Sequence, residues 1–576
     1  MGIADRITRD FEMVRSFGRV LPTLLRARPG GRFTVADALE EQARRFTNAP
    51  ALIFEERSLS YGELDRAANQ VARWAREQGL GTGDVVALMM GNRPEFVIHW
   101  LGLAKLGVVT ALINTNLSGR PLAHSLEVSG ARHLILDASL CESWSSARDE
   151  LAHPLEVWSS GGIVEGASDL DFERARQPGR ALRASVRAEL RSEDDLFYIY
   201  TSGTTGLPKA AHFSHQRFLA AAMGSMTVCA LRPSDRTYIV LPLYHTAGGV
   251  MALGGCLLAG ATAVIARRFS ASRFWDDCLR HEVTVFQYIG ELCRYLLNSP
   301  SHAAEQHHRI RLCIGNGLRA DVWEAFQRRF AIPRIVEFYG ATEGNVSFAN
   351  FDGRVGSVGR MPELLRRGAG IHLVRFDVER EEIVRDADGF CIECDVDEPG
   401  EAIGRLGRLV RFEGYSDTRA SEKKILRDVF RRGDAYFRTG DLLRRDGDDY
   451  FYFIDRIGDT FRWKGENVST GEVGEVVSSC PHVKEANVYG VHVPGADGRA
   501  GMASLVVDED FDLEDFGLRV QAELPSYARP LFLRIEPRIE ITGTFKHRKV
   551  DACLLYTSPS PRDQRPNLVC RLLLEK

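Results

Sequence analysis

The stretch YIYTSGTTGLPKAAHFSH, residues 198–215, decides how the rest of the chain is read. An aromatic-aliphatic run leads into a turn crowded with glycines, hydroxyls and one lysine. A glycine-rich turn behind a strand presents backbone N–H groups in a concave nest that suits phosphate oxygens. Thr201, Ser202, Thr204 and Thr205 add hydroxyl donors, Gly203 and Gly206 let the backbone turn, and Lys209 adds a positive charge. Gly206-Leu-Pro-Lys209 is not followed by the GK[ST] of a Walker A loop, which disfavours an ordinary P-loop ATPase.

On either side of that turn, short apolar runs alternate with helical stretches. HLILDA, LFYIYTSG, RTYIVLPL, TAVIA, VTVFQYIG, RLCIGNG and RIVEFYG read as strands within residues 130–350. Strands spaced by helices predict an α/β fold with a largely parallel sheet. Upstream, ALIFEERSLSYGEL reads as a hairpin and a helix start, and GDVVALMM as a buried strand. Residues 351–455 turn Gly-rich and β-like, which predicts hairpins or a small barrel. PHVKEANVYGVHV and RAGMASLVVDED then read as two strands of a small α+β unit. The expected organisation is a basic amphipathic segment (1–32), a large unit (33–455), a small unit (456–551) and a tail (552–576). The tail shifts to Ser/Pro/Arg composition without helix or strand period, and is expected to be foreign to the fold.

Composition narrows the function. The chain has 576 residues, 44% hydrophobic and 26% charged, with a net charge of −4, which does not fit a nucleic-acid binder. Its 11 cysteines fit free thiols in a reducing compartment better than a disulfide framework. Cys391 and Cys394 stand three apart in GFCIECDV, so on a strand they point to opposite faces and cannot pinch one metal. The longest apolar run, FVIHWLGLAKLGVVTALIN (96–114), contains His99 and Lys105 and ends in turn residues. It reads as a buried helix running into a strand, not a membrane span. The first 32 residues carry seven arginines against Asp5, Asp10 and Glu12, with apolar residues at helical spacing. Peripheral contact with an anionic membrane face and docking on the protein itself both fit that pattern.

YTSGTTGLPK resembles the phosphate-loop signature of the adenylate-forming superfamily, which holds acyl-CoA synthetases, luciferases and peptide-synthetase adenylation domains. YGATEGN (339–345), FRTGD (437–441) and DRIGDTFRWKGENVST (455–470) resemble its later blocks in the same order. YIGELCRYLLN, IGNGLRADVW and TGTFKHRKVD look like the fatty acid transport protein and very-long-chain acyl-CoA synthetase branch. The resemblance implies a large domain of layered sheets and helices with a barrel-like part, and a small mobile C-terminal domain. It implies an ATP-dependent ligase that makes acyl-CoA from long- or very-long-chain fatty acids, or alternatively from bile, branched or aryl acids, through an acyl-adenylate, with Mg²⁺, AMP and pyrophosphate in the first step and coenzyme A in the second.

Site roles follow from the same resemblance. The 201–209 loop would hold the β- and γ-phosphates. Tyr339 and Gly340 would border adenine, with Asn316 and Gly317 also on the nucleotide. Thr342 would contact the α-phosphate and Glu343 would help hold Mg²⁺ as a hard-oxygen ligand. Asp441 would accept both ribose hydroxyls, with Arg456 reaching the ribose. His245 would sit at the carboxylate entrance, Lys546 would offset charge during adenylation, and Gly465 would let pantetheine pass closely. Gly458, two residues after Arg456, stands where the hinge is expected. Phe545 departs from the family, where many relatives have glycine. The glycines of GGVMALGGCLLAGATAVI leave two readings open: an acyl tunnel and tight helix packing. A carrier-protein loading module, a permease and a luciferase-like oxygenase are the competing functions. The acid and the oligomeric state, a homodimer included, stay open, with a cytoplasmic or membrane-peripheral location expected.

Overall fold

The computed structural model describes residues 18, 21–23, 25–201, 207–340, 344–378, 380–407, 412–457, 459–463, 466–493, 499–539 and 569–571. Two sheets frame its larger part. The first has eight strands, with Pro50–Phe54, Arg236–Ile239, Thr262–Ile265, Val285–Ile289, Leu312–Asn316 and Ile335–Gly340 running parallel. Arg57–Ser60 and Ser347–Asn350 close its two edges antiparallel. The second has seven strands, parallel from Ser168–Asp169 through Val109–Leu112 to Asp195–Thr201, with Lys209–Ser214 antiparallel at its edge.

Helices Tyr61–Glu77, Pro94–Ala104 and His215–Val228 share one apolar cluster with strand residues of both sheets, such as Leu52, Ala263, Val86 and Ile199. All eleven residues of Pro94–Ala104 are buried. A helix wrapped by protein on every side is apolar on every side, which is why the 96–114 run looked long enough to question. Lys105, fully buried just past its end, is tied to Glu40 at 2.6 Å and Asp65 at 2.8 Å. Helix Tyr61–Glu77 starts where the sequence places it, because Ser60 and Glu63 cap each other's backbone N–H groups. Among the described residues no helix is long and apolar enough to cross a membrane. The basic N-terminal segment lies mostly outside the described residues.

Residues 359–456 form a third, antiparallel sheet, as the Gly-rich pattern predicts. Cys391 and Cys394 fall into two different apolar clusters there, one with Val374 and Tyr436, the other with Leu373 and Phe451. Past Arg456, the hairpin Phe461–Trp463/Glu466–Val468 precedes a four-stranded sheet, whose strands Val483–His492 and Arg499–Val507 pair antiparallel. Val569–Arg571 pairs with Phe532–Arg534 as an edge strand of this sheet; the rest of the segment expected to be a foreign tail lies outside the described residues.

Candidate nucleotide and acid site

Parallel sheets gather ligands beyond the carboxyl ends of their strands. At that end of the first sheet stand Ile289, Asn316 and Gly340, from three neighbouring strands. Asn316 leads into Gly317, whose φ of +75° only glycine adopts without strain. Tyr339 lies against Phe348, with ring centroids 5.9 Å apart.

The third sheet brings Asp441 to this corner. The Tyr339 hydroxyl donates to Asp441 Oδ2 at 2.6 Å. Burial and the adjacent carboxylate push the phenol well above its ordinary range, so it stays a donor. Arg456, opposite Asp441 in strand register, places Nε 3.7 Å from Oδ1. Asp441 lies in a bulge of its strand Ala435–Arg445, where Arg438 pairs with Ile403 and Leu442 with Glu401. Glu401, fully buried, accepts from Arg438 Nη2 at 2.6 Å and from the Gly440 N–H at 3.2 Å. Thr439 Oγ1 donates to the Ala402 carbonyl and accepts from the Asp441 N–H. Thr439 therefore fixes the Asp441 backbone, while Tyr339 and Arg456 hold its carboxylate.

The phosphate side is partly described. Thr201 ends its strand directly opposite Lys209 in antiparallel register, so the loop between them joins two antiparallel strands. The strand Lys209–Ser214 is not anticipated by sequence reading. Lys209 Nζ lies 6.0 Å from the centre of the Tyr415 ring, a cation–π contact. Ser202, Gly203, Thr204, Thr205 and Gly206 lie outside the described residues, as do Thr342 and Glu343. Gly344, next after Glu343, has its carbonyl bonded by Arg217 of helix His215–Val228. That helix is capped by Ser214, whose N–H donates to Glu413 Oε2 at 2.8 Å.

His245 precedes a nine-residue π-helix, Thr246–Gly254, and its ring lies 4.6 Å from that of Tyr244. Asn92 pins the approach by donating to the Leu241 carbonyl and accepting from the Leu243 N–H. Of the two readings of the glycines that follow, the structure supports packing at Gly254 and Gly255. A Cβ on Gly254 would meet Phe218 at 2.8 Å and Ala222 at 3.0 Å, and one on Gly255 would meet the Ala222 carbonyl at 3.3 Å. A bulky residue at either position strikes a helix instead of shortening a tunnel.

Lys546, Gly465 and Gly458 lie outside the described residues. Trp463, two residues before Gly465, is buried in the core of the small C-terminal unit with Phe461 and Val468. That unit touches the larger part through arginines. Arg319 donates to the Gly474 carbonyl at 3.0 Å and to the Glu475 carbonyl at 2.5 Å, and Arg294 bonds the Lys484 carbonyl. Sequence reading missed Arg217, Arg319, Glu401 and Glu337. Only Glu337 leaves a visible signal, as a lone carboxylate inside the apolar strand run RIVEFYG.

Two family models match this chain: AMP-binding enzyme over residues 39–389, and AMP-binding enzyme C-terminal domain over residues 472–546. The chain is 43% identical to long-chain fatty acid transport protein 2 of Rattus norvegicus over 528 residues, covering 90% of this chain and 84% of that protein. It is 44% identical to long-chain fatty acid transport protein 1 of Mus musculus over 527 residues, covering 90% and 81%. Among solved structures it superposes on an anthranilate CoA ligase in complex with anthranoyl-AMP, with a TM-score of 0.78 and 23% identity, over 91% of this chain and 98% of that one. An o-succinylbenzoate coenzyme A synthetase from Bacillus subtilis, in complex with ATP and magnesium ion, aligns with a TM-score of 0.70 and 25% identity over 88% and 98%.

Proposed function

The chain belongs to the AMP-binding enzyme family, and from that premise we propose that it is an ATP-dependent ligase joining a long- or very-long-chain fatty acid to coenzyme A. The observation that carries the reading is the strand-end corner of Tyr339, Asp441 and Arg456, set in a chain similar over nine-tenths of its length to long-chain fatty acid transport proteins.

A carboxylate is a poor electrophile at neutral pH. Its oxygen attacks the α-phosphorus of ATP, the bond to the pyrophosphate breaks, and an acyl-adenylate forms. The sulfur of coenzyme A then attacks the acyl carbon, and AMP leaves with the bonding electrons. The first step brings two anions together, so the site must supply positive charge and fixed donors. Tyr339 presents its ring to adenine, and Asp441, already oriented by Thr439 and Arg456, accepts the ribose hydroxyls. Thr201, Lys209 and the residues between them hold the β- and γ-phosphates and the departing pyrophosphate. Thr342 contacts the α-phosphate. Glu343 would offer a hard oxygen to Mg²⁺, and the ion would neutralise phosphate charge. Lys546 neutralises charge between carboxylate and α-phosphate, and His245 borders the carboxylate entrance. Gly465 lets the pantetheine arm of coenzyme A pass. The first 30 residues give peripheral contact with the cytoplasmic membrane face, where fatty acids partition.

The test is pyrophosphate release across a panel of acids, with and without coenzyme A, with products identified by mass. The expected result is a CoA thioester and highest kcat/KM for acids of long chain. Aryl or bile acids preferred over fatty acids would overturn the substrate, and ATP consumption without a thioester would overturn the acceptor.

A further inference from the structure

Glu337 is a carboxylate almost wholly inside the protein, 3% exposed, in the middle of strand Ile335–Gly340. It stands two residues before Tyr339, so the two side chains share one face of the strand. Its Oε1 accepts the Leu318 N–H at 3.1 Å, and the Gly317 N–H faces the same carboxyl group. Its Oε2 accepts the hydroxyl of Tyr288, itself fully buried, at 2.6 Å. Two successive backbone N–H groups aimed at one anion form a nest. Here the nest is filled from beneath by a side chain of the same protein.

The other side of the turn is open. A Cβ built on Gly317 meets nothing within 4 Å, whereas one on Gly290 would collide with the Gly317 carbonyl oxygen. The turn is thus wedged between Gly290 and Glu337 and exposes its free edge where Asn316 ends its strand. A burial this costly for a carboxylate stabilises the fold poorly in its own right. What it does achieve is one fixed shape for Asn316–Gly317–Leu318.

We propose that Glu337 is a positioning residue for the nucleotide, holding the Asn316–Gly317–Leu318 turn from beneath so that its free edge borders the adenine beside Tyr339. This rests on the nucleotide site described under Proposed function.

The hydrogen bonds allow two protonation states. With Glu337 ionised, Tyr288 donates to it. With Glu337 neutral, the acid donates to the Tyr288 oxygen, and the Tyr288 hydroxyl turns to the Val336 carbonyl, 3.2 Å away. Oε1 goes on accepting from the turn in both. Burial pushes Glu337 up to about 8, against the pull of its hydrogen bonds. The titratable groups around it are Tyr288 from strand Val285–Ile289, Cys313 from strand Leu312–Asn316, and Cys293 and Glu291 from helix Gly290–Leu297. Burial raises Tyr288, Cys293 and Cys313 well above their usual ranges, so they stay protonated while Glu337 changes state. Glu291 is engaged by Arg294. The ionised acceptor makes the stronger bonds to the turn.

The experiment measures KM for ATP by pyrophosphate release from pH 6.5 to 9 in the full chain, in Glu337→Leu and Glu337→Gln, and in Asp441→Ala as the site control. Glu337→Leu is expected to raise KM for ATP about tenfold, with KM for the acid and for coenzyme A unmoved. Glu337→Gln, which copies the neutral acid, brings it back to within about twofold. The ratio of the Gln variant's KM to the native one rises about threefold from pH 7 to pH 9, because only the native side chain gains charge. Taking the ratio cancels the ionisation of ATP itself. An unchanged KM in a folded Glu337→Leu protein, or a ratio flat with pH, overturns the proposal. If Glu337→Leu does not fold, the ratio decides alone. If Asp441→Ala also leaves KM for ATP unmoved, the nucleotide site itself is misplaced. If Asp441→Ala raises it while the Glu337 variants do not, only the present inference fails.

Discussion

The nucleoside corner and the contact between the small C-terminal unit and the rest of the chain are built from the same chemistry and differ in where it is placed. At the corner, Glu401 and Glu337 are buried, and each holds backbone N–H groups next to a site residue. At the contact, Arg319 and Arg294 reach across to backbone carbonyls of Gly474, Glu475 and Lys484. A buried carboxylate stripped of its donors pays the full cost of desolvation. An arginine that lets go of a carbonyl at this contact keeps a charged partner, Asp321 for Arg319 and Glu291 for Arg294. The corner is therefore fixed, while the contact exchanges partners cheaply. The proposed two-step reaction would need both: a constant seat for AMP, and a cap that would carry Lys546 in and later make room for a thiol.

Three variants sharpen that contrast. Lys546→Ala should have the largest effect, lowering acyl-adenylate formation by about 10²–10³-fold while supplied acyl-adenylate is still converted to the thioester. Rapid-quench assays of each half-reaction check this, and normal adenylation would overturn the role of Lys546. Asp441→Ala comes next, raising KM for ATP by about 10–100-fold, the range for a hydrogen bond to a charged group. Equal losses in KM for ATP and for the acid would mean the corner is not specific to the nucleotide. The smallest effect belongs to Arg319→Ala, paired with Arg294→Ala. Losing these part-buried contacts should change the ratio of the two half-reaction rates by about two- to threefold and leave KM for ATP alone. A rise in KM for ATP equal to that of Asp441→Ala would erase the distinction between a fixed corner and a releasable cap.

Much of this architecture is legible in the sequence, for identifiable reasons. The strands that carry Thr201, Asn316 and Tyr339 are short apolar runs ending in turn residues, and buried parallel strands leave that mark. The helix at Tyr61 announces itself through Ser60 and Glu63. Partners far apart in sequence leave no such mark. Tyr339 and Asp441 are 102 positions apart, and no local pattern says that their side chains meet. Gly254 and Gly255 gave no choice between tunnel and packing, because that depends on Phe218 and Ala222 approaching from another helix. Glu337 is hidden for a further reason. A charged residue in an apolar strand signals only that something satisfies it, and Tyr288 and the Gly317–Leu318 turn come from elements 19 or more residues away.

The central claim is that the nucleotide sits at the strand-end corner, and a crystal structure of the chain with a non-hydrolysable acyl-adenylate analogue tests it most directly. The account predicts the adenine between Tyr339 and the Asn316–Gly317 turn, with both ribose hydroxyls on the Asp441 carboxylate. An adenylate bound with its ribose away from Asp441 would contradict it.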